Sequence, residues 1–252
     1  MSSFFNNRSR RRGKTPKRNR LTSGGGKNSN TRRNMSSNQS LNQNPNIITK
    51  YISRLKELYP LCKHDSANES PDKYSGHRTT YGEMSYEGIE ILYRHILQFA
   101  HPAPQYFLDV GSGRGKLCMY MASKPNVEAS IGVELVTPRV NDAEQLKKEL
   151  SRQYSIYTNK CTFLNSDVLQ ISFDNLFPNK TNKIFVWFSN LCFEPTTTDA
   201  IYSKLVSEIT SGSIICSSKM PTSIPDTLQQ LGTLIIPMSW SANSSVFVFQ
   251  KR

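Results

Sequence analysis

Three glycines and a neighbouring acid have the types and the spacing to bind a nucleotide-like ligand. Gly111, Gly113 and Gly115 form a G-x-G-x-G turn directly after an apolar stretch that contains Asp109. Glycine has no Cβ atom, so the backbone can adopt positive φ and bring its amides close to a ligand at the start of a helix. The spacing is not the G-x-G-x-x-G of dinucleotide folds, and no G-K-[ST] sequence follows, so nicotinamide and P-loop nucleotide sites are disfavoured.

Acidic residues also follow the next two apolar stretches. Glu134 ends the stretch ASIGVE, and Asp167 follows the stretch that ends at residue 165. A carboxylate about 20 residues after a glycine turn can accept hydrogen bonds from ribose hydroxyls. The third acid, Asp167, can accept a hydrogen bond from an adenine amino group. The alternative is a glycine turn of any α/β protein, but three acids in this order, with Asp109 as the first, predict an S-adenosyl-L-methionine site.

The glycine turn must be held between a strand and a helix. Phe107, Leu108 and Val110 form a short apolar run, and residues 115–123 change to helical spacing. Further along, apolar runs alternate with helical patterns, and residues 232–238 and 245–250 have no helical pattern between them. This order predicts an α/β fold, a seven-stranded Rossmann-like class I methyltransferase sheet with a terminal antiparallel hairpin.

Charge divides the chain into a basic tail and a nearly neutral remainder. Residues 1–50 contain 12 of the 32 Lys and Arg and none of the 19 Asp and Glu. The remaining residues therefore have a formal net charge of 20 − 19 = +1. The tail has almost no apolar residues, so we expect residues 1–45 to be disordered. We then expect a helical lead-in and a cofactor-covering loop over residues 46–104, and an S-adenosylmethionine-binding catalytic domain over residues 105–252.

A dense block of basic residues lies within this tail. Such a block without acids is typical of nucleic-acid binding and nuclear targeting, although a solubilising tail is an alternative. We therefore predict a nuclear, chromatin location and contact with DNA. The predicted nucleic-acid-binding residues are Arg8, Arg10, Arg11, Arg12, Lys14, Lys17, Arg18 and Arg20.

Other partners are not indicated by the sequence. No apolar run approaches the ~18 residues of a membrane span, and no apolar segment follows the basic block as in a signal peptide. The five cysteines are far apart and the four histidines have no ligand spacing, which argues against a disulfide framework and a metal site. We expect a soluble, intracellular monomer that binds neither membrane nor metal.

Tyr81, Gly82 and Glu83 precede a helical pattern that extends from about residue 85 to residue 99. A loop before that helix can fold over the cofactor and contact its methionine end. The alternative is structural, because an acid near a helix N-terminus is favoured by the helix dipole.

The stretch FSNLCFEP, residues 188–195, follows a fully apolar run at the carboxyl end of the predicted fourth strand. Open parallel sheets bind ligands at this edge. Ser189 and Asn190 can supply uncharged hydrogen bonds, and Leu191 and Phe193 can line a passage for a lysine side chain, unless they are core residues. Apolar surroundings favour the neutral amine that methyl transfer requires. Nucleic-acid N-methyltransferases commonly have [ND]-P-P-[YFW] here, so a planar base is the less favoured substrate.

From about residue 81 to residue 250 the chain resembles the non-SET histone-lysine methyltransferases named for disruptor of telomeric silencing. The motifs occur in family order: TYGEMSYEGIEIL, FLDVGSGRGKLCMYMA, IGVEL, NSDVL, FSNLCFEP, SGSIICSSKMP and PMSWSANSSVFVF. The resemblance implies S-adenosylmethionine-dependent methylation of a lysine in the globular core of histone three in nucleosomes. It also implies that the basic tract holds nucleosomal DNA. Because no His or Cys pair accompanies FSNLCFEP, we expect direct in-line methyl transfer.

The chain departs from the family at several site positions. Ser189 replaces an asparagine, Leu191 an aromatic residue, Lys116 a glutamine, and Val168 the aromatic residue that stacks on adenine; Trp240 is kept. The predicted catalytic residues are Tyr81, Ser189, Asn190, Leu191 and Phe193. The predicted cofactor-binding residues are Tyr81, Gly82, Glu83, Asp109, Gly111, Gly113, Gly115, Lys116, Glu134, Asp167, Val168 and Asn190. A methyltransferase for RNA, DNA or a non-histone protein, and an inactive nucleosome-binding module, remain as alternatives.

Overall fold

Seven strands form one mixed sheet in a computed structural model of the chain, which describes residues 44–62, 82–177 and 179–252. The strands are β1 (Tyr106–Val110), β2 (Ala129–Glu134), β3 (Cys161–Asn165), β4 (Ile184–Phe188), β5 (Ile214–Ser217), β6 (Leu228–Met238) and β7 (Ser241–Lys251). Their order is β3-β2-β1-β4-β5-β7-β6, with β7 antiparallel to β5 and β6 and the other pairs parallel. The predicted α/β class I methyltransferase sheet with its terminal antiparallel hairpin is confirmed.

The described residues all belong to the unit Gln39–Arg252. The eight basic residues predicted to bind nucleic acid, and Tyr81, lie outside the described residues. The helices of the described part are α1 (Pro45–Leu58), α2 (Tyr86–Phe99), α3 (Lys116–Ala122), α4 (Thr137–Thr158) and α5 (Pro195–Glu208). Within residues 44–62, 82–177 and 179–252, every helix is too short or too polar to cross a bilayer.

The sheet separates two apolar cores. On one face, residues of α1 to α4 pack against Phe107 and Phe185, and on the other, residues of α5 pack against Leu108 and Val186. Burial on both faces explains why β4 is apolar throughout and why β1 is apolar except for Asp109, as is typical of parallel strands. β1 pairs with both β2 and β4, so the chain changes direction across the sheet between them. The carboxyl ends of β1 and β4 are therefore where an open sheet of this kind binds its ligands.

The lead-in helix α1 is attached to the glycine turn's own helix. The Asn44 side chain accepts a hydrogen bond from the Asn46 amide at 3.0 Å and caps α1, and Pro45 fits its first turn. The buried Tyr51 hydroxyl donates to the Met119 carbonyl in α3 at 2.9 Å. A helix was predicted from about residue 46, and its apolar face is buried against α3 and α4 as its spacing requires.

Two predicted boundaries were wrong. The terminal strands begin four residues earlier than the apolar pattern indicates, at Leu228 and Ser241, because polar residues such as Gln229 and Asn243 point to solvent from the hairpin. Helix α5 begins at Pro195, because a proline is well tolerated in a first helical turn.

Candidate active site

The glycine turn takes a backbone shape that other residues resist. Gly111, Gly113 and Gly115 have φ of 81°, 54° and 75°, in the left-handed region. A Cβ atom on Gly115 would come within 2.6 Å of the Phe163 ring, whereas one on Gly111 would meet only the Phe193 ring, at 3.9 Å. There is no room for a side chain at Gly115, whereas the space beside Gly111 is open to a ligand.

The Glu134 side chain links the glycine turn to β2 by hydrogen bonds. Its carboxylate accepts hydrogen bonds from the Gly113 amide at 2.8 Å and the Val136 amide at 2.9 Å, and Arg139 Nη1 lies 3.8 Å away. The side chain is buried. Each carboxylate oxygen has a further lone pair, so Glu134 can still accept a hydrogen bond from a ligand hydroxyl. Its ribose-binding role stays a prediction.

Asp109 is a buried acid at the end of β1. Its Oδ2 lies 3.8 Å from the Cys118 sulfur, and its Oδ1 has no hydrogen-bond partner among the described residues. Burial, and then the negative charge of Glu134, raise the pKa of Asp109 to about 8. A buried polar atom normally has a partner, so this oxygen fits a ligand that brings a donor or a positive charge.

Asp109 lines a cleft of about 420 Å³ on one side of the turn. We call it the charged cleft, and define it by Tyr59, Glu83, Asp109, Lys116, Ser189 and Trp240. Lys116 Nζ lies 2.6 Å from Glu83 Oε2, and the Tyr59 hydroxyl also donates to the Glu83 carboxylate. Lys116 Nζ is 5.3 Å from the centre of the Tyr59 ring, within cation–π range. A lysine and two acids therefore converge in one cleft.

Arg114 joins this cleft to the end of α1. Its Nη2 donates to the Tyr59 carbonyl at 2.7 Å and the Cys62 carbonyl at 3.1 Å, and its Nε lies 3.4 Å from Asp142 Oδ2. The guanidinium lies 4.4 Å from the Tyr59 ring centre. Sequence reasoning missed Tyr59 and Arg114, because neither belongs to a recognisable local motif and their contact spans about fifty residues.

The covering segment, residues 82–84, is attached to the turn between β6 and β7. The Ser239 amide donates to the Glu83 carbonyl at 2.7 Å, and the Glu83 amide donates to the Ser239 hydroxyl at 3.0 Å. A Cβ atom on Gly82 would come within 2.4 Å of the Trp240 ring. The backbone of Gly82 therefore packs directly on Trp240, which is 41% exposed at the mouth of the charged cleft.

A second cleft, of about 550 Å³, lies on the other side of the turn. We call it the apolar cleft, and define it by Val110, Val133, Leu135, Val168, Phe193 and Ile201. Asp167 also lines it and accepts a hydrogen bond from the Leu169 amide at 2.9 Å, which leaves its other oxygen for a ligand. Gly111 lines both clefts, so they meet at the glycine turn.

The residues of FSNLCFEP are not brought together as the predicted lysine passage requires. Ser189 lines the charged cleft, Phe193 lines the apolar cleft, and Leu191 is 40% exposed outside both. Asn190 is fully buried. Its side-chain amide accepts a hydrogen bond from the Lys219 backbone amide at 2.8 Å and donates one to the Lys219 carbonyl at 3.0 Å. The chain turns tightly here, with the Phe193 amide bonded to the Asn190 carbonyl, so successive side chains point in different directions.

Most of the predicted site residues fall into three groups, while Gly111 lines both clefts and Leu191 lines neither. The charged cleft collects Gly82, Glu83, Asp109, Gly113, Lys116 and Ser189; the apolar cleft collects Asp167, Val168 and Phe193. Glu134, Gly115 and Asn190 lie behind the clefts and shape the loops that line them. Trp240, singled out in the sequence only by the resemblance, lines the charged cleft together with Ser189. Among the described residues, no group of His, Cys, Asp and Glu has the arrangement of a metal site.

Comparison with known families gives one extended match. The model of the family described as "Histone methylation protein DOT1" matches residues 64–229, more than half of the chain. The chain is also 26% identical over 173 residues to the "Histone-lysine N-methyltransferase, H3 lysine-79 specific" of Drosophila melanogaster. That match covers 66% of this chain but 9% of the relative, so the chain spans about a tenth of that protein's length.

Solved structures of similar fold include methyltransferases of low sequence identity. An RNA methyltransferase from Salinibacter ruber, in complex with S-adenosyl-L-homocysteine, is 14% identical with a TM-score of 0.48, covering 66% of this chain and 92% of its own. The magnesium protoporphyrin IX methyltransferase from Synechocystis is 15% identical with a TM-score of 0.47, covering 65% and 78%.

Proposed function

Because the chain belongs to the DOT1 family of histone methylation proteins, we propose that it is an S-adenosylmethionine-dependent protein-lysine N-methyltransferase that acts on nucleosomes. The target is a lysine in the globular core of histone three. The observation that carries the proposal is the family match over residues 64–229, which includes most of the residues that line both clefts.

The residues present fit the cofactor. The unpartnered oxygen of Asp109 and the open space beside Gly111 face a ligand at the meeting point of the clefts. Val133, Val168 and Phe193 would suit a planar adenine ring, and the Glu134 carboxylate behind the turn would accept hydrogen bonds from the ribose hydroxyls. When bound, S-adenosylmethionine supplies an electrophilic methyl group on a sulfonium.

The protein's own part in the chemistry is to position an amine and keep it neutral. Ser189 and Trp240 line the charged cleft, where the lysine side chain would enter. Among the described residues that line the two clefts, none is a histidine or a cysteine. In this proposal the amine loses its proton to solvent before it attacks, and catalysis relies on orientation, with no covalent enzyme intermediate. The rate should rise with pH as the bound lysine deprotonates.

The experiment that tests this function offers several substrates at once. The full chain is incubated with methyl-labelled cofactor and either nucleosomes, free histones or free DNA, followed by mass spectrometry. Label on a core lysine of histone three, with nucleosomes preferred, supports the proposal. Label on DNA would overturn it, and binding of both cofactor and nucleosomes without any methylation would identify an inactive nucleosome-binding module.

The basic tail is proposed to hold nucleosomal DNA in the nucleus. Residues 1–50 contain 12 basic residues and no acid. If six to ten phosphates are contacted, nucleosome affinity should fall by about 10³–10⁵ between 50 and 200 mM salt. Deletion of residues 1–43, which keeps the Asn44 cap of α1, should remove most of that salt dependence in a binding titration.

A matched control separates charge from length. Replacement of the eight basic residues between Arg8 and Arg20 by glutamine keeps the tail but removes their charge. It should also flatten the salt dependence. An unchanged slope in both variants would mean that DNA is contacted elsewhere.

A further inference from the structure

The Lys116–Glu83 ion pair lies within the charged cleft, and both of its members line that cleft. We infer that this pair opens to admit an α-amino acid group, with Lys116 binding its carboxylate and Glu83 and Asp109 binding its ammonium. The inference rests on the proposed function, because it concerns the ligand of the same site.

The position of the pair is the first observation. Glu83 belongs to the covering segment and Lys116 is the first residue of α3, so their 2.6 Å contact joins two separate parts of the cleft wall. Both residues line the charged cleft. Their side chains are 19% and 11% exposed, so little solvent separates them. A ligand that fills this end of the cleft must come between them or beside them.

The charges around the pair are the second observation. Lys116 Nζ lies 5.3 Å from the Tyr59 ring centre and 5.4 Å from the Tyr86 ring centre, and Glu83 accepts from the Tyr59 hydroxyl. Each member thus keeps a stabilising neighbour if the pair separates. Asp109, whose Oδ1 has no partner among the described residues, adds a second acceptor in the same cleft.

Exchange with a zwitterion leaves no uncompensated charge. Breaking a buried ion pair is unfavourable when one partner stays unpaired. An α-amino acid group brings one positive and one negative charge, so each member of the pair receives a new partner. A ligand with only an ammonium would release Glu83 from Lys116 without giving Lys116 a carboxylate. The cleft therefore selects for ligands that carry both groups.

Three adenosine derivatives distinguish these interactions by calorimetry on the full chain. S-adenosyl-L-homocysteine has both charged groups, decarboxylated S-adenosylhomocysteine has only the amine, and 5′-deoxy-5′-methylthioadenosine has neither. In Lys116→Met, affinity for S-adenosyl-L-homocysteine should fall about 10–100-fold, the range of a hydrogen bond to a charged group. Affinity for decarboxylated S-adenosylhomocysteine should rise, because Glu83 is no longer held by Lys116. Affinity for methylthioadenosine should stay within about twofold of wild type.

Two further variants make the test specific. Lys124→Met removes another lysine that is ion-paired, to Glu90 at 2.7 Å, but that does not line either cleft. It should change none of the three affinities. Lys116→Gln keeps a hydrogen-bonding side chain and should show the Lys116→Met pattern at reduced size, which provides the test if the methionine variant does not fold.

The outcomes separate this inference from the proposed function. Equal losses for all three ligands in the Lys116 variants would indicate a purely structural ion pair and overturn the exchange. An unchanged affinity for S-adenosyl-L-homocysteine would do the same while leaving the proposed function intact. If the wild-type protein binds none of the three ligands, the proposed function fails, and the exchange fails with it.

Discussion

The two clefts beside the glycine turn differ in chemistry although both include Gly111. The charged cleft contains Lys116 with Glu83 and Asp109, whereas the apolar cleft has aliphatic walls and Phe193, with Asp167 and Glu194 as its acids and no basic residue among those described. A ligand that fills both must have a charged end and a flat, weakly polar end. This contrast favours an adenosyl amino acid over a dinucleotide.

The clefts also differ in how the chain builds them. The apolar cleft is made by the ends of β1 and β2 and by the loops after β3 and β4. The charged cleft requires Tyr59 after α1, Glu83 before α2 and Trp240 in the last hairpin. Its shape depends on contacts between distant segments, so it should be the more sensitive of the two to substitutions that loosen packing.

The largest expected effect comes from Glu134, which holds the glycine turn that borders both clefts. Glu134→Ala removes the acceptor of the Gly113 and Val136 amides and the carboxylate beside Arg139. Removing one partner of such a buried group should lower the free energy of unfolding by about 3–5 kcal/mol. Urea denaturation measures this loss. Because the turn borders both clefts, methylthioadenosine and S-adenosyl-L-homocysteine should both bind more weakly.

Glu134→Gln is the matched control for that prediction. The glutamine amide has one carbonyl oxygen, so it can satisfy one of the two backbone amides and should give an intermediate loss. Weaker binding of S-adenosyl-L-homocysteine alone, with methylthioadenosine unaffected, would mean that Glu134 serves only the charged cleft.

A second prediction concerns the pH dependence that the charged cleft imposes on stability. The pKa of Asp109 is about 8 in the folded protein, against an ordinary value of ~3.9. Between these values the folded state holds a proton that the unfolded state has lost. The free energy of unfolding therefore falls as pH rises, by up to ~1.4 kcal/mol per pH unit from this residue.

Asp109→Asn should remove that contribution. Urea denaturation of both proteins at pH 5.5 and pH 7.5 should show a flatter dependence for the variant, by up to about 3 kcal/mol across the interval. Comparing the two proteins cancels the titration of other groups. Parallel pH dependences would show that Asp109 is ionised in the folded protein, and that the charged cleft already stabilises its negative charge.

Local patterns in the sequence predicted the parts of the molecule that depend on neighbouring residues. The apolar runs of β1, β2 and β4 are buried on both faces and therefore stand out from their surroundings. The positive φ of Gly111, Gly113 and Gly115 agrees with the shape expected for the turn. Glu134 was singled out by its place at the end of β2, which is also what brings its carboxylate to the Gly113 amide.

Contacts between distant segments could not be read in this way. The Arg114 side chain bonds to the Tyr59 carbonyl across 55 positions, and no periodic pattern marks either residue. The direction of a side chain in a tight turn was equally hidden. Asn190 and Phe193 are three residues apart, yet one is buried against Lys219 and the other lines the apolar cleft. The sequence after a strand predicts the presence of a site, but it does not predict the direction of each side chain.

The last and smallest predicted effect tests the apolar cleft through Phe193. Its ring packs edge-on against Phe188, with 5.4 Å between ring centres, and lines the cleft in which Val168 replaces the family's stacking aromatic. Loss of an aromatic that stacks on a base weakens binding by ~1–3 kcal/mol. Phe193→Ala should weaken methylthioadenosine and S-adenosyl-L-homocysteine equally, because both carry the adenine, whereas Lys116→Met should act on S-adenosyl-L-homocysteine. Phe193→Leu keeps most of the apolar volume and controls for packing. Reduced turnover with unchanged affinity for both ligands would return Phe193 to the lysine passage that the sequence predicts.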